Sequence, residues 1–460
     1  MMMRQQPDIQ FKFINSLKKK APGGLFSFSY YYKYLLFTFF ITSFVCSNEK
    51  QSFGFIAYNS NKWNNSIVKS HNNDIYNNGL YSMAELNFGP FKIVNSMFAT
   101  SDSLESLKGG SKKVKGIYGY TNRAFITTDF ELENVKNNIL FGREYLSIGH
   151  GKFSSLILSN DSRPFDQLLW SIKYKDFAGG LGGIQLENNN NIKRFLTYHT
   201  IGFKNDKFSM TFTEAIIYTG VGRSIEWQYI NPVLFWTPEM VNNSPTDDGN
   251  GLLFGSIKYN FNPSLSLWTE LLVDDFQVNH ESKGDLEPNE IGFLGGVKKT
   301  GWPFVSSDLW LEYTRIANRT YQTLDVSETY THRGFPIGHY LGNDFDMFQL
   351  YYSQENMNGK LKPYISLAYL RNGANGLDTP FDTPWEDSTV SMETGYSEPF
   401  PTGPIAYVTE MELAADYKFR NDSFINAGLF YRRKTLQGKT VDEFSIILRL
   451  WLSLNKTFNY

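Results

Sequence analysis

After residue 47 this 460-residue chain has no apolar run able to cross a bilayer as a helix, which takes about 20 consecutive residues. Its only cysteine is Cys46, so neither a disulfide framework nor a cysteine metal cluster can form. The 6 histidines are scattered without ligand spacing, and no H-E-x-x-H helix occurs. The G-x-S-x-G nucleophile elbow and the acidic EF-hand loop are missing too. No cofactor, no metal and no enzymatic activity are therefore expected. Charge is also scarce in net terms, with 44 basic against 46 acidic residues. A chain so nearly neutral is a poor partner for nucleic acid.

Aromatics, by contrast, are plentiful. They make up 17% of the chain, with 39 Phe and 28 Tyr, although the mean hydropathy is only −0.35. A membrane barrel combines these properties, because its wall alternates apolar and polar residues and its rims carry aromatic girdles. The N-terminus fits export. Lys18, Lys19, Lys20 and Lys33 precede an apolar stretch from Tyr34 to Val45, and Ser47 offers a small residue for cleavage. Residues 1–47 are read as a signal peptide and 48–460 as the barrel. Phe44 and Val45 are too bulky for a lipobox before Cys46. Removing a segment with six basic residues and one acid would take the net charge from −2 to about −7.

Period-2 alternation predicts eighteen strands, near 53–60, 79–89, 91–100, 122–133, 136–143, 168–175, 178–187, 193–203, 207–216, 251–261, 264–276, 290–298, 307–316, 346–355, 361–371, 406–420, 423–434 and 440–453. In 406–420, Met411, Leu413, Tyr417 and Phe419 share one face, opposite Glu410, Glu412 and Asp416. Apolar side chains are expected to face lipid and ionisable ones the lumen, since a mid-membrane Arg or Lys on the lipid face costs about 2–4 kcal/mol. No sheet edge survives in hydrocarbon, so the sheet must close. Short connections such as Gly89-Pro90, Asn134-Val135, Asn262-Pro263 and Asn421-Asp422 alternate with long ones at 101–121, 144–167, 217–250, 277–289, 317–345 and 372–405, with 188–192 and 435–439 as short exceptions to the long class. The expected architecture is all-β: a closed antiparallel up-and-down transmembrane barrel of about 18 strands. Its tight turns would be periplasmic and its long loops extracellular.

Several segments resemble the capsule-assembly Wzi family of outer-membrane proteins. They are Glu214 to Gly220, Arg223 to Pro232, Asp247 to Leu253, Glu270 to Phe276, Glu312 to Ile316, Tyr330 to Gly334 and Pro336 to Gly342. Their order and spacing carry the likeness, which runs over roughly 79–453 and is densest between 140 and 346. The resemblance implies an eighteen-stranded outer-membrane barrel that helps hold polysaccharide at the cell surface, and the strand count above leans partly on it. One departure stands out. Enterobacterial members carry a helical bundle before the first strand, whereas residues 48–78 here are Asn-rich without a helical apolar period. This chain is thus expected to be a distant branch lacking that bundle.

Saccharide recognition calls for flat aromatic faces beside fixed carboxylates and guanidinium groups. The candidates are Arg223, Glu226, Trp227, Trp236, Glu239 and Asp248 in one loop, Arg333, His339 and Asp344 in another, and Trp385 in a third. The plainer reading makes the aromatics a girdle and the charges loop braces. Arg143, Arg163 and Asp166 are expected to form a salt-bridge network in the lumen and loops, with Pro164 holding Arg163 extended. Expected partners are surface or capsular polysaccharide, outer-membrane lipid and, during biogenesis, the barrel-assembly machinery. Two alternatives remain: a solute-specific porin, and a polysaccharide or lipid hydrolase using an acid pair such as Asp247-Asp248 or Asp274-Asp275.

Overall fold

The computed structural model describes residues 51–60, 78–100, 118–238, 249–277, 281–355, 359–420 and 423–458, so the expected signal peptide 1–47 lies outside it. The first strands are β1 (Gln51–Ser60), β2 (Asn78–Phe88), β3 (Phe91–Thr100), β4 (Tyr118–Leu132), β5 (Val135–Glu144) and β6 (Phe165–Tyr174). Next come β7 (Phe177–Gln185), β8 (Ile192–Lys204), β9 (Phe208–Val221), β10 (Asn250–Asn262), β11 (Leu265–Asp275), β12 (Glu290–Thr300) and β13 (Ser307–Ile316). A small hairpin of β14 (Thr331–His332) and β15 (Phe335–Pro336) stands apart. The wall resumes with β16 (Phe345–Gln354), β17 (Leu361–Asn372), β18 (Ala406–Arg420), β19 (Ser423–Leu436) and β20 (Lys439–Phe458).

Every wall strand pairs antiparallel with the next, β13 passing directly to β16. The last returns to the first, from Gln51↔Phe458 to Ser60↔Arg449. The eighteen-stranded sheet therefore closes, and all eighteen strands expected from alternation are present. Alternation misplaced some ends: β4 starts at Tyr118, β9 continues to Val221 and β20 extends to Phe458. The hairpin β14–β15 was not foreseen, because two-residue strands are too short to alternate.

The wall has the two faces expected of it. Met411, Leu413, Tyr417 and Phe419 are exposed outward, while Glu410, Glu412 and Asp416 are buried inward. Phe444, Ile446, Leu448, Leu450 and Leu452 do the same for β20, with Arg449 pointing in. The inward charges are paired. Arg449 donates to Glu412 (3.1 Å) and Asn426 (3.0 Å), and the Tyr364 hydroxyl donates to Glu412 (2.6 Å). Tight turns follow hairpin chemistry: Glu133 and Asn134 take φ of 47° and 70°, both left-handed, as a type I′ turn requires.

The lumen holds protein. Residues 145–164 leave β5, enter the barrel and bury Leu156, Ile157 and Leu158 completely. They pack with Phe254, Leu272, Leu294, Ile316, Tyr321, Tyr330 and Ile337. Residues 317–344 pack beside them, joined by the backbone bond Ser159 N–H to Ile337 O (3.0 Å) and by the Tyr321 hydroxyl donating to Leu156 O.

Candidate functional site

Two inward glutamates seat this plug. Glu270 of β11 accepts from the backbone N–H groups of His150, Gly151 (2.7 Å) and Leu156 (3.1 Å). Glu312 of β13 accepts from Lys152 N–H (2.8 Å), Phe153 N–H (3.3 Å) and the Trp268 indole (2.9 Å). An irregular loop inside a barrel must satisfy its backbone donors, and the side-chain oxygens of these two glutamates accept from them. His150 reaches lower still, bridging Ser256 and Ser209 (3.1 Å).

Over the plug lies a cap of residues 317–344 and 373–405. Arg319 is buried at its centre, bonded to Asp382 (2.6 Å) and Glu398 (2.7 Å), with its guanidinium 5.0 Å from the Trp385 ring. Burial opposes its charge, but those two carboxylates outweigh it and raise its pKa. Asp344, at φ 56°, accepts from the Thr402 N–H (2.9 Å) and Asn375 N–H (3.2 Å), tying the two loops together. His339 is sandwiched by Tyr340 (4.5 Å) and Phe345 (4.9 Å). Trp385, His339 and Asp344 are thus completely or almost completely buried. They offer no face to a sugar, which departs from the expectation for these three, and brace the cap instead.

At the rim, Arg143 grips Asp166 through Nε (2.8 Å) and Nη2 (2.5 Å), directly across the β5–β6 ladder. Arg333, at the turn of the hairpin β14–β15, lies 3.7 Å from the same carboxylate. Burial and the Arg143 charge lower its pKa from the ordinary value. All three keep exposed side-chain surface, Asp166 most of all. Arg163 is buried beneath, its guanidinium 4.2 Å from the Phe335 ring.

The loop after β9 goes elsewhere. In β9, Ser209, Thr213 and Thr219 face the lumen, Ser209 meeting His150 of the plug (3.1 Å) and Thr219 bonded to Ser327 of the cap (3.0 Å). Glu214, Ile216 and Tyr218 are in phase with exposed Met210 and Phe212, and therefore lie on the outer wall. On β8, Phe195 and His199 are in phase with exposed Ile201, while Arg194 points in to Ser327 O and Thr329 O (2.7 Å). Residues 222–238 cover this outer patch. Trp236 packs on His199 (4.3 Å), and Tyr229 stacks on Tyr218 (4.5 Å). Glu214 accepts from Trp236 N–H (2.9 Å), Thr237 N–H and the Thr237 hydroxyl (both 2.6 Å), and lies 3.0 Å from His199 Nε2. Arg223 bonds Glu226 (2.7 Å) and covers Tyr218 (5.1 Å).

Trp236 is therefore buried against the wall and away from the barrel mouth, contrary to its expected sugar-facing place. Trp227 is 85% exposed, on the far side of the same loop. Glu239 and Asp248 fall outside the described residues. Sequence reasoning missed Glu214, His199, Glu270 and Glu312. The first two carried a readable signal, being polar residues in phase with lipid-facing neighbours.

Residues 194–440 match the family model described as capsule assembly protein Wzi. No curated protein matches the chain. Among solved structures, it resembles Wzi of Escherichia coli, an outer-membrane protein involved in group 1 capsule assembly and described as a carbohydrate-binding β-barrel. The two share 14% identity with a TM-score of 0.58, covering 98% of this chain and 92% of that one. The outer-membrane protein opdK of Pseudomonas aeruginosa is similar at 9% identity and a TM-score of 0.48, over 89% of this chain and 99% of its own. With a closed eighteen-stranded wall and a family match over more than half its length, this outer-membrane chain belongs to the capsule assembly Wzi family.

Proposed function

We propose that the protein is a non-enzymatic barrel that retains surface polysaccharide through its extracellular face. The observation that carries this reading is the filled lumen. Two inward glutamates hold a buried segment across the barrel, so the extracellular loops are the surface left to work. The rim cluster of Arg143, Arg333 and Asp166 supplies the chemistry. Arg333 makes a loose contact with Asp166 (3.7 Å) beside the tight Arg143 pair. A uronate carboxylate could take the place of Asp166 on Arg333 in bidentate geometry. One such contact is weak, and retention comes from many copies engaging one polymer.

The test compares shed with cell-associated polysaccharide in wild type, Arg333→Ala and a deletion strain, with heat-modifiable gel mobility as folding control. Arg333→Ala is expected to shed more polymer than wild type while the barrel stays folded. Full retention by the deletion strain would end the attachment reading. Shedding by the deletion strain alone would move the site away from Arg333. The porin alternative has the right strand number, but the buried plug argues against it.

A further inference from the structure

The outer-wall loop 222–238 has two faces, and only one is accounted for. Its inner face seals Glu214 and His199 through Trp236 and Tyr229. Its outer face carries Ile225, Trp227, Val233 and Phe235, all exposed, with Val233 83% exposed. This apolar surface continues the band formed by Ile201, Met210 and Phe212 lower on the same strands.

Depth can be read from the strand. Phe177, Phe203 and Phe208 cluster beside the turn at 205–207 (Phe177–Phe203 5.3 Å, Phe203–Phe208 6.3 Å), marking the periplasmic girdle. A wall strand tilted about 40° climbs roughly 2.6 Å per residue. Glu214 then stands about 16 Å above Phe208, and Tyr218 about 26 Å, against an apolar band about 25 Å tall. Phe235, 6.2 Å from the His199 ring, lies at hydrocarbon depth. Arg223, over Tyr218, reaches the headgroup boundary, where amphipathic side chains concentrate.

We propose that residues 222–238 form a strap immersed in the outer leaflet, in which Ile225, Val233 and Phe235 meet lipid acyl chains. The strap replaces the bare wall over β8 and β9, so that a carboxylate and an imidazole on the lipid side of the barrel are sealed from hydrocarbon. An uncovered carboxylate at that depth would have no partner in lipid. The backbone N–H groups of Trp236 and Thr237 supply the partners, and Ile225, Val233 and Phe235, exposed among the polar Ser224, Gln228 and Asn231, supply the membrane contact. The strap's membrane contact does not depend on saccharide binding.

Nitroxide labels on single cysteines test it, in a Cys46→Ser background reconstituted into phosphatidylcholine–phosphatidylglycerol vesicles. Labels go at Val233→Cys and Phe235→Cys, with Ile201→Cys as the lower-wall reference and Leu324→Cys as the exposed cap reference. Collision with oxygen is compared with collision with a water-soluble nickel chelate. The strap labels are expected to match Ile201, with an oxygen-to-nickel ratio several-fold above that of Leu324. A ratio equal to that of Leu324 at both strap sites would place the strap in water and overturn the proposal. Shielding from both reagents together with dipolar broadening would reveal a second copy on this face, and would overturn it equally. Val233→Cys and Phe235→Cys report independently, and heat-modifiable mobility confirms that each variant is folded.

Discussion

A single side chain decides whether each buried segment can stay where it is. Gly149, at φ +135°, sits where an added Cβ would overlap the Glu270 carboxylate and the Ser155 hydroxyl. Gly149→Ala should destabilise the seated plug by about 1–3 kcal/mol, read as a lower urea midpoint in vesicles and as flickering conductance. Glu214 is the equivalent anchor outside. Its loss strands the two N–H groups, the Thr237 hydroxyl and His199 together. Glu214→Ala should cost about 3 kcal/mol of unfolding free energy, and Glu214→Gln clearly less because the amide oxygen still accepts. Equal losses in the two variants would mean that hydrogen bonding is not what holds the strap.

Elements respond as units. The segment 281–289 is tied to the cap by Lys283 Nζ donating to Asp387 O (2.9 Å). Within it, burial and the negative charges of Asp275 and Glu386 push the Glu287 pKa up to about 7, with Arg319 opposing. Above the ordinary carboxylate pKa the unfolded chain is ionised, while the folded one still holds its proton. The stabilising contribution is therefore complete below about 4.5 and falls as pH rises through 7. Wild type is expected to lose stability between pH 5 and about 8 relative to Glu287→Gln, measured as the difference in urea midpoints. Parallel curves for the two proteins would refute this. The plug is the other responsive element. Excising 149–158 should turn a silent barrel into one that passes steady current in planar bilayers, whereas removing 376–401 from the cap should leave it silent. A large current from the intact protein would revive the porin reading.

At the scale of the whole molecule, the closed barrel should migrate faster unheated than boiled on gels and give a β-dominated circular dichroism spectrum. Recovery in the soluble periplasmic fraction would contradict it. The wall was almost fully legible in the sequence. Alternation at 406–420 and 440–453 separated Met411 from Glu412 and Leu448 from Arg449 onto opposite faces, as the structure has them. A strand's side-chain direction is fixed by its own backbone, so a period of two carries that information locally. Loops hold no such period. The sequence of 145–164 determined that it had apolar residues to bury, and that of 222–238 that it had aromatics on offer. Only the tertiary structure decided that the first turns into the lumen onto Glu270 and Glu312, while the second folds back over the outer wall onto Glu214. The reason is that those destinations are assembled between strands: the plug's by strands more than 100 residues distant, and the strap's by the pairing of β8 with β9 that sets His199 beside Glu214.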